Sequence, residues 1–252
     1  MTEGRFMLSK KFDLIISLGA ACGCALYMKK FKLRDHSYPF DWVYNAPFEK
    51  RIELLVNDFK DFLLKENLEK FYKNDGGDLY HDFYKDLSNG FIFLHDFPLN
   101  TPLEKSYDEV YEKYQRRISR MYENISASKQ VLFIWFQLHE TLSDEIVLKA
   151  QKELSQKFNK SINLLVFEND RSRTSVQDVK LNDSVLKVVG PFNIDDDYVW
   201  GNEKLCGSVF ARINGKKKYG YVLLRGVMRL ACCFVPSSAL RRKMREKYEN
   251  KW

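Results

Sequence analysis

Short apolar, β-branched runs alternate with longer amphipathic stretches along this chain, and the alternation predicts its architecture. Phe12-Asp-Leu-Ile-Ile-Ser-Leu18, bounded by Gly19, reads as a buried strand. Ala20 to Phe31 follows as a helix whose last turn carries Lys29 and Lys30, where the helix dipole favours cations. Pro47 opens a second helix, with Ile52, Leu55, Val56, Phe59, Phe62 and Leu63 at helical spacing. Beyond Asn74-Asp-Gly-Gly-Asp78, Gly90-Phe-Ile-Phe-Leu94 reads as a second buried strand that ends at His95-Asp96. An amphipathic helix covers Asp108 to Tyr122. Val131 to Phe136 is the strongest strand signal, and Ser143 or Asp144 caps a helix running to Phe158. Ile162 to Phe167 and Val185 to Val189 complete five strands, the last stopped by Gly190-Pro191.

Strands alternating with helices argue for parallel pairing through crossovers, hence an α/β domain of three layers with a mostly parallel sheet and flanking helices. The expected domain spans residues 1–203. Residues 204–252 form a basic, helical C-terminal segment packed on it, ending in a helix from Ala239 to Asn250.

Charge sharpens that division. The 252 residues carry a net +7, yet Lys204 to Trp252 holds 13 Lys/Arg against two Glu, while Met1 to Glu203 holds 28 against 32 Asp/Glu. A net +11 concentrated in 49 residues points to a face or tail for phosphate, nucleic acid or anionic lipid, with Lys216, Lys217 and Lys218 as anion-binding candidates. An anionic polysaccharide or phosphate-bearing ligand is the expected partner, with nucleic acid ranked below. Tyr219 to Val235 is apolar but interrupted by Arg225 and Arg229, so no membrane-spanning segment is expected. The apolar run Leu14 to Met28 resembles a lipoprotein leader ending at Cys22, but Asp13 abuts it and Lys29-Lys30 close it. A reduced, cytoplasmic protein is expected. The five cysteines lack the spacing of a disulfide framework or a structural zinc site, and no G-x-G-x-x-G, Walker A, H-E-x-x-H or EF-hand pattern occurs, so neither metal nor resident cofactor is anticipated.

In an open parallel sheet, sites form beyond the carboxyl ends of strands. The residues there are Gly19 to Cys22, His95-Asp96, His139-Glu140, Glu168-Asn169-Asp170 and Gly190-Pro191. Cys22 is the sharpest candidate: Gly19 supplies a turn, and a cysteine in the first turn of a helix meets unpaired N–H groups that favour thiolate, lowering its pKa from roughly 8.5. Backbone amides around Gly19, Ala20 and Gly23 could hold an oxyanion. A cysteine nucleophile needs a base, and among four histidines His95 and His139 fall at expected strand ends, whereas His36 and His81 fall in polar stretches. Asp41, Asp96 or Asn169 could orient the imidazole, although adjacent side chains diverge in an extended segment, which counts against Asp96 beside His95.

The set Ile16-Ser-Leu-Gly-Ala-Ala-Cys22, Leu33-Arg34, Ser37-Tyr-Pro-Phe-Asp-Trp42 and Phe93-Leu-His-Asp-Phe97 resembles a bacterial family of unknown function described as papain-like cysteine peptidases. The resemblance covers roughly the first 100 residues. It implies Cys22 as nucleophile and His95 as its partner, with Asp41 and Asp96 as orienting groups, acting on a peptide, amide or acyl substrate within a papain-like fold. It is also similar to capsule-polysaccharide enzymes, which implies as an alternative acyl transfer from coenzyme A in surface-polysaccharide biosynthesis. A third expectation is a module without turnover that binds an anionic polymer or membrane surface through its basic C-terminus.

Overall fold

The computed structural model describes residues 8–34, 36–71, 80–138, 140–195 and 199–215. Its centre is a five-stranded sheet of β1 (Leu14–Gly19), β6 (Val131–Phe136), β7 (Ile162–Asn169), β9 (Val185–Gly190) and β8 (Gln177–Lys180), adjacent in that order. The first four run parallel, and β8 pairs antiparallel at the edge. β1, β6 and β9 are buried throughout, as continuous apolar runs covered on both faces should be.

Alternating side chains of β6 send successive rings to opposite layers. Phe136 and Phe167 meet Tyr27 of α1 (Cys22–Lys30) and Phe210 of α5 (Glu203–Arg212). Trp135 meets Phe48 of α2 (Phe48–Val56) edge-on at 5.3 Å, on the side where α4 (Asp144–Phe158) packs against β7 and β9. The protein is therefore α/β, with a mostly parallel sheet between helical layers. Ser143 caps α4 by accepting from the Ile146 N–H, as the sequence predicts.

A second sheet departs from expectation. β2 (Val43–Asn45), β5 (Phe91–Pro98), β4 (His81–Asp86) and β3 (Leu68–Phe71) form a four-stranded sheet, and every pairing in it is antiparallel. The strand expected to join the parallel sheet from Gly90 is β5 of this sheet, and it extends through His95-Asp96 rather than ending before them. The reason is local: β4 lies one short turn before β5, and a short connection can join antiparallel strands but not parallel ones. α3 (Leu103–Ala127) then packs on this sheet, with Tyr114 5.5 Å from Phe93 and from Phe62.

The helix from Pro47 also ends early, at Val56. Asn57 and Asp58 are poor helix formers, and Asp58, Phe59, Asp61 and Leu63 take left-handed conformations. Those turns still bury Phe59 and Phe62, which join Phe40 and Phe91 in one aromatic cluster. Of the expected C-terminal segment, residues 204–215 pack into the α/β body through Cys206, Val209 and Phe210. Lys216, Lys217 and Lys218, the Tyr219–Val235 run and the Ala239–Asn250 helix lie outside the described residues.

Candidate active site

Cys22 is the first residue of α1, on the turn that leaves β1 at the carboxyl edge of the parallel sheet. Gly19 makes this turn with φ at +96°, and the peptide joining it to Ala20 is cis. A Cβ at Gly19 would also stand 2.5 Å from Arg51 Nη1, so both conformation and space demand glycine. Two anchors hold the bend: the Gly19 N–H donates to Ser17 Oγ at 3.1 Å, and the Ala20 N–H donates to the Phe136 carbonyl at 3.2 Å. Gly23 lets α1 press its first turn against the Val199 carbonyl, and Tyr27 donates its hydroxyl proton to the Trp200 carbonyl at 2.9 Å. Ala21, the N-cap, has no side chain to satisfy the first N–H groups of the helix, and the first turn holds no acidic residue.

Of the cysteines described, Cys22 is half-buried, whereas Cys24 and Cys206 are fully buried. Burial pushes the Cys22 thiol above its ordinary value, and its own backbone N–H pulls only partly the other way. This corrects the expected lowering, since desolvation of a thiolate outweighs the helix start here. Burial drives Cys206 up to about 12 and Cys24 up further still.

Arg51, which the sequence reading passed over, lies beneath the turn. It belongs to α2 and is completely buried. Its Nη2 donates to the Ala20 carbonyl at 3.3 Å and to the Asn45 carbonyl, while the guanidinium carbon lies 4.9 to 5.5 Å from the rings of Phe91, Phe40 and Trp135. Among the described residues its Nε and Nη1 have no hydrogen-bond partner, and no carboxylate forms an ion pair with it. Burial lowers its pKa to about 9, with Glu140 opposing, so it remains a cation at neutral pH. The signal in the sequence was a lone charge on an apolar stripe, Phe48, Ile52 and Leu55, of a helix.

The other candidates fall into separate groups. Asp41 ends a 3₁₀ turn, Pro39–Asp41; its Oδ2 accepts from the Tyr38 N–H at 2.8 Å and pairs with Arg34 at 2.9 Å. Burial raises its pKa despite Arg34. Phe97 of β5 pairs with Asp82 and Phe93 with Tyr84, so β5 bulges between them. The bulge turns Asp96 inward and His95 outward. Asp96 pairs with Lys113 at 2.7 Å and accepts the Tyr114 hydroxyl proton at 2.8 Å; burial alone would raise its pKa, but Lys113, Arg117 and Tyr114 hold it below the ordinary range. His95 is exposed, its ring meeting that of His81 edge-on at 6.1 Å. Cys22 and His95 thus sit on elements of different sheets, and both oxygens of Asp96 are taken up by α3. Asn169 anchors the segment after β9, its Nδ2 donating to the Ile194 carbonyl and its Oδ1 accepting from the Asn193 N–H.

His139 lies outside the described residues. On either side of it, Gln137 Oε1 accepts from the Asn169 N–H and Glu140 Oε1 from the Phe48 N–H at the start of α2. Among the described residues no group of three or more His, Cys, Asp or Glu side chains could hold a metal ion, and no helix is long and apolar enough to cross a membrane.

A family described as "Putative papain-like cysteine peptidase (DUF1796)" matches residues 13–169, from the residue before β1 to the end of β7. The chain belongs to this family. It is also 31% identical over 134 residues to "Uncharacterized protein R408" of Acanthamoeba polyphaga mimivirus, across 48% of this chain and 60% of that relative. The chain therefore spans about three fifths of the viral relative's length. No solved structure matches it. The Cys22 turn, the Asp41 turn and the β5 bulge all fall inside the matched stretch.

Proposed function

We propose that this protein is a cysteine hydrolase of peptide or amide bonds, with Cys22 as its nucleophile. The observation that carries the reading is the placement of Cys22: the half-buried cysteine among those described begins a helix at the carboxyl edge of a parallel sheet, within a stretch matching a cysteine-peptidase family. A raised pKa requires that the thiol give up its proton as it attacks, to a histidine acting as general base. Sulfur then bonds the carbonyl carbon, and the carbonyl electron pair moves onto oxygen, facing the amides at the start of α1. Collapse expels the amine, which takes the proton back from the imidazolium, and water releases the acyl group by the same route.

The family resemblance assigns the base to His95. His139 is the alternative, because the Ala20 N–H bonds the last residue of β6, three positions before it. Hydrolysis of a peptide p-nitroanilide library by wild type, Cys22→Ala, His95→Ala and His139→Ala tests both assignments. Loss of turnover in Cys22→Ala and in one histidine variant is expected; turnover that survives Cys22→Ala overturns the reading. Transfer from coenzyme A is separated by offering acyl-coenzyme A with a sugar hydroxyl acceptor. Turnover there but on no p-nitroanilide would assign the same Cys22 chemistry to transfer instead.

A further inference from the structure

Resting on that reading, we infer that Arg51 is the positioning residue of the oxyanion site, acting through the Ala20–Ala21 peptide to present the Ala21 N–H. The Ala20 carbonyl accepts from Arg51 Nη2, so this peptide's oxygen is fixed toward the buried guanidinium. The Ala20–Ala21 peptide is trans, and in a trans peptide the N–H points opposite to the C=O. The Ala21 N–H is therefore directed away from Arg51, one residue before the nucleophile. Among the described residues it donates to no acceptor. Ala21 itself is extended, at φ −149° and ψ −178°, so its N–H stands just ahead of those of the first helical turn, which also lack acceptors within the helix.

The charge contributes as well as the geometry. Among the described residues no carboxylate forms an ion pair with Arg51, Glu140 acting on it only through its field, and three aromatic rings enclose the guanidinium, so its charge acts in a low-dielectric setting on the carbonyl it binds. A cation bound to a peptide oxygen withdraws electron density from nitrogen and strengthens the N–H as a donor. A structural arginine would need only its packing, whereas this one leaves Nε and Nη1 without partners among the described residues while its remaining nitrogen fixes two carbonyls at the site.

The test compares two reactions of Cys22 that differ in needing an oxyanion. p-Nitrophenyl acetate reacts through a tetrahedral intermediate: sulfur bonds the acyl carbon, the carbonyl pair moves onto oxygen, and p-nitrophenolate leaves as that pair returns. Iodoacetamide reacts at a saturated carbon, where sulfur bonds carbon as iodide departs and no carbonyl oxygen gains charge. In Arg51→Met, acetylation of Cys22 should fall by about tenfold or more while alkylation stays within about threefold; Arg51→Lys, which keeps a cation, should recover part of the loss. If Arg51→Met does not fold, Arg51→Lys carries the comparison through the same ratio. An unchanged ratio, or both rates falling together, overturns the assignment to Arg51. Wild-type protein that is alkylated but never acetylated at Cys22 overturns the nucleophile reading beneath it, a distinct result.

Discussion

At the scale of single residues, the site is governed by desolvation. Cys22 has a helix start beside it, yet enough of its surroundings are apolar that the neutral thiol is favoured. Alkylation by iodoacetamide should therefore climb with pH through and beyond pH 9 without a plateau near pH 7, and should remain faster at Cys22 than at Cys206, whose thiol burial pushes up to about 12. Peptide mapping after timed labelling from pH 6 to 10 checks both points; a plateau at neutral pH would mean a thiolate already formed at rest. Gly19 gives a second prediction. A methyl group there meets a guanidinium in a backbone region that disfavours side chains, so Gly19→Ala should cost more than about 1 kcal/mol in urea unfolding. A variant as stable as wild type would contradict the close approach of Arg51. Gly19, Ala20, Cys22 and Gly23 were legible in the sequence as a strand-turn-helix unit. The sign of the thiol shift was not, because burial depends on what folds over the turn.

Among elements, the informative one is the bulge of β5. The Phe93-Leu-His-Asp-Phe97 stretch looks in sequence like the end of a strand, and alternation cannot reveal two extra residues on one strand of a pair. That His95 and Asp96 diverge follows from their adjacency in an extended segment, but only the fold shows that Asp96 is the one facing inward. Asp96 then ties β5 to α3 through Lys113, Tyr114 and Arg117, and removing one partner of a buried pair is costly. Asp96→Asn should lower stability at pH 7 by about 3 kcal/mol. The folded pKa of Asp96 lies below its unfolded value, so this contribution is present above about pH 4 and is lost as pH falls through the folded pKa. Acid unfolding of the variant should accordingly be flatter below pH 4 than that of wild type, and parallel curves would contradict the ion pair. Asp41, with its pKa raised, contributes in the opposite sense, its share lost as pH rises through the folded value.

For the whole molecule, the longest apolar runs fixed the parallel sheet, since β1, β6, β7 and β9 are near-continuous hydrophobic segments. The antiparallel sheet was hidden, because β2 has only three residues and β3 and β4 mix charged with apolar residues in a half-buried setting. Arg51 joins the two sheets, touching Trp135 of one and Phe91 of the other below the Cys22 turn. Its role was invisible without the fold, since its aromatic neighbours come from three separate stretches of chain. If this junction serves a nucleophilic cysteine, Cys22 forms an acyl-enzyme, and trapping it is the most direct test. Protein mixed with p-nitrophenyl acetate, quenched in acid and mapped by mass spectrometry should carry acetyl on Cys22 and lose that label in Cys22→Ala. Acetyl found on Cys24, Cys206 or lysines alone, with Cys22 unmodified, would contradict the account.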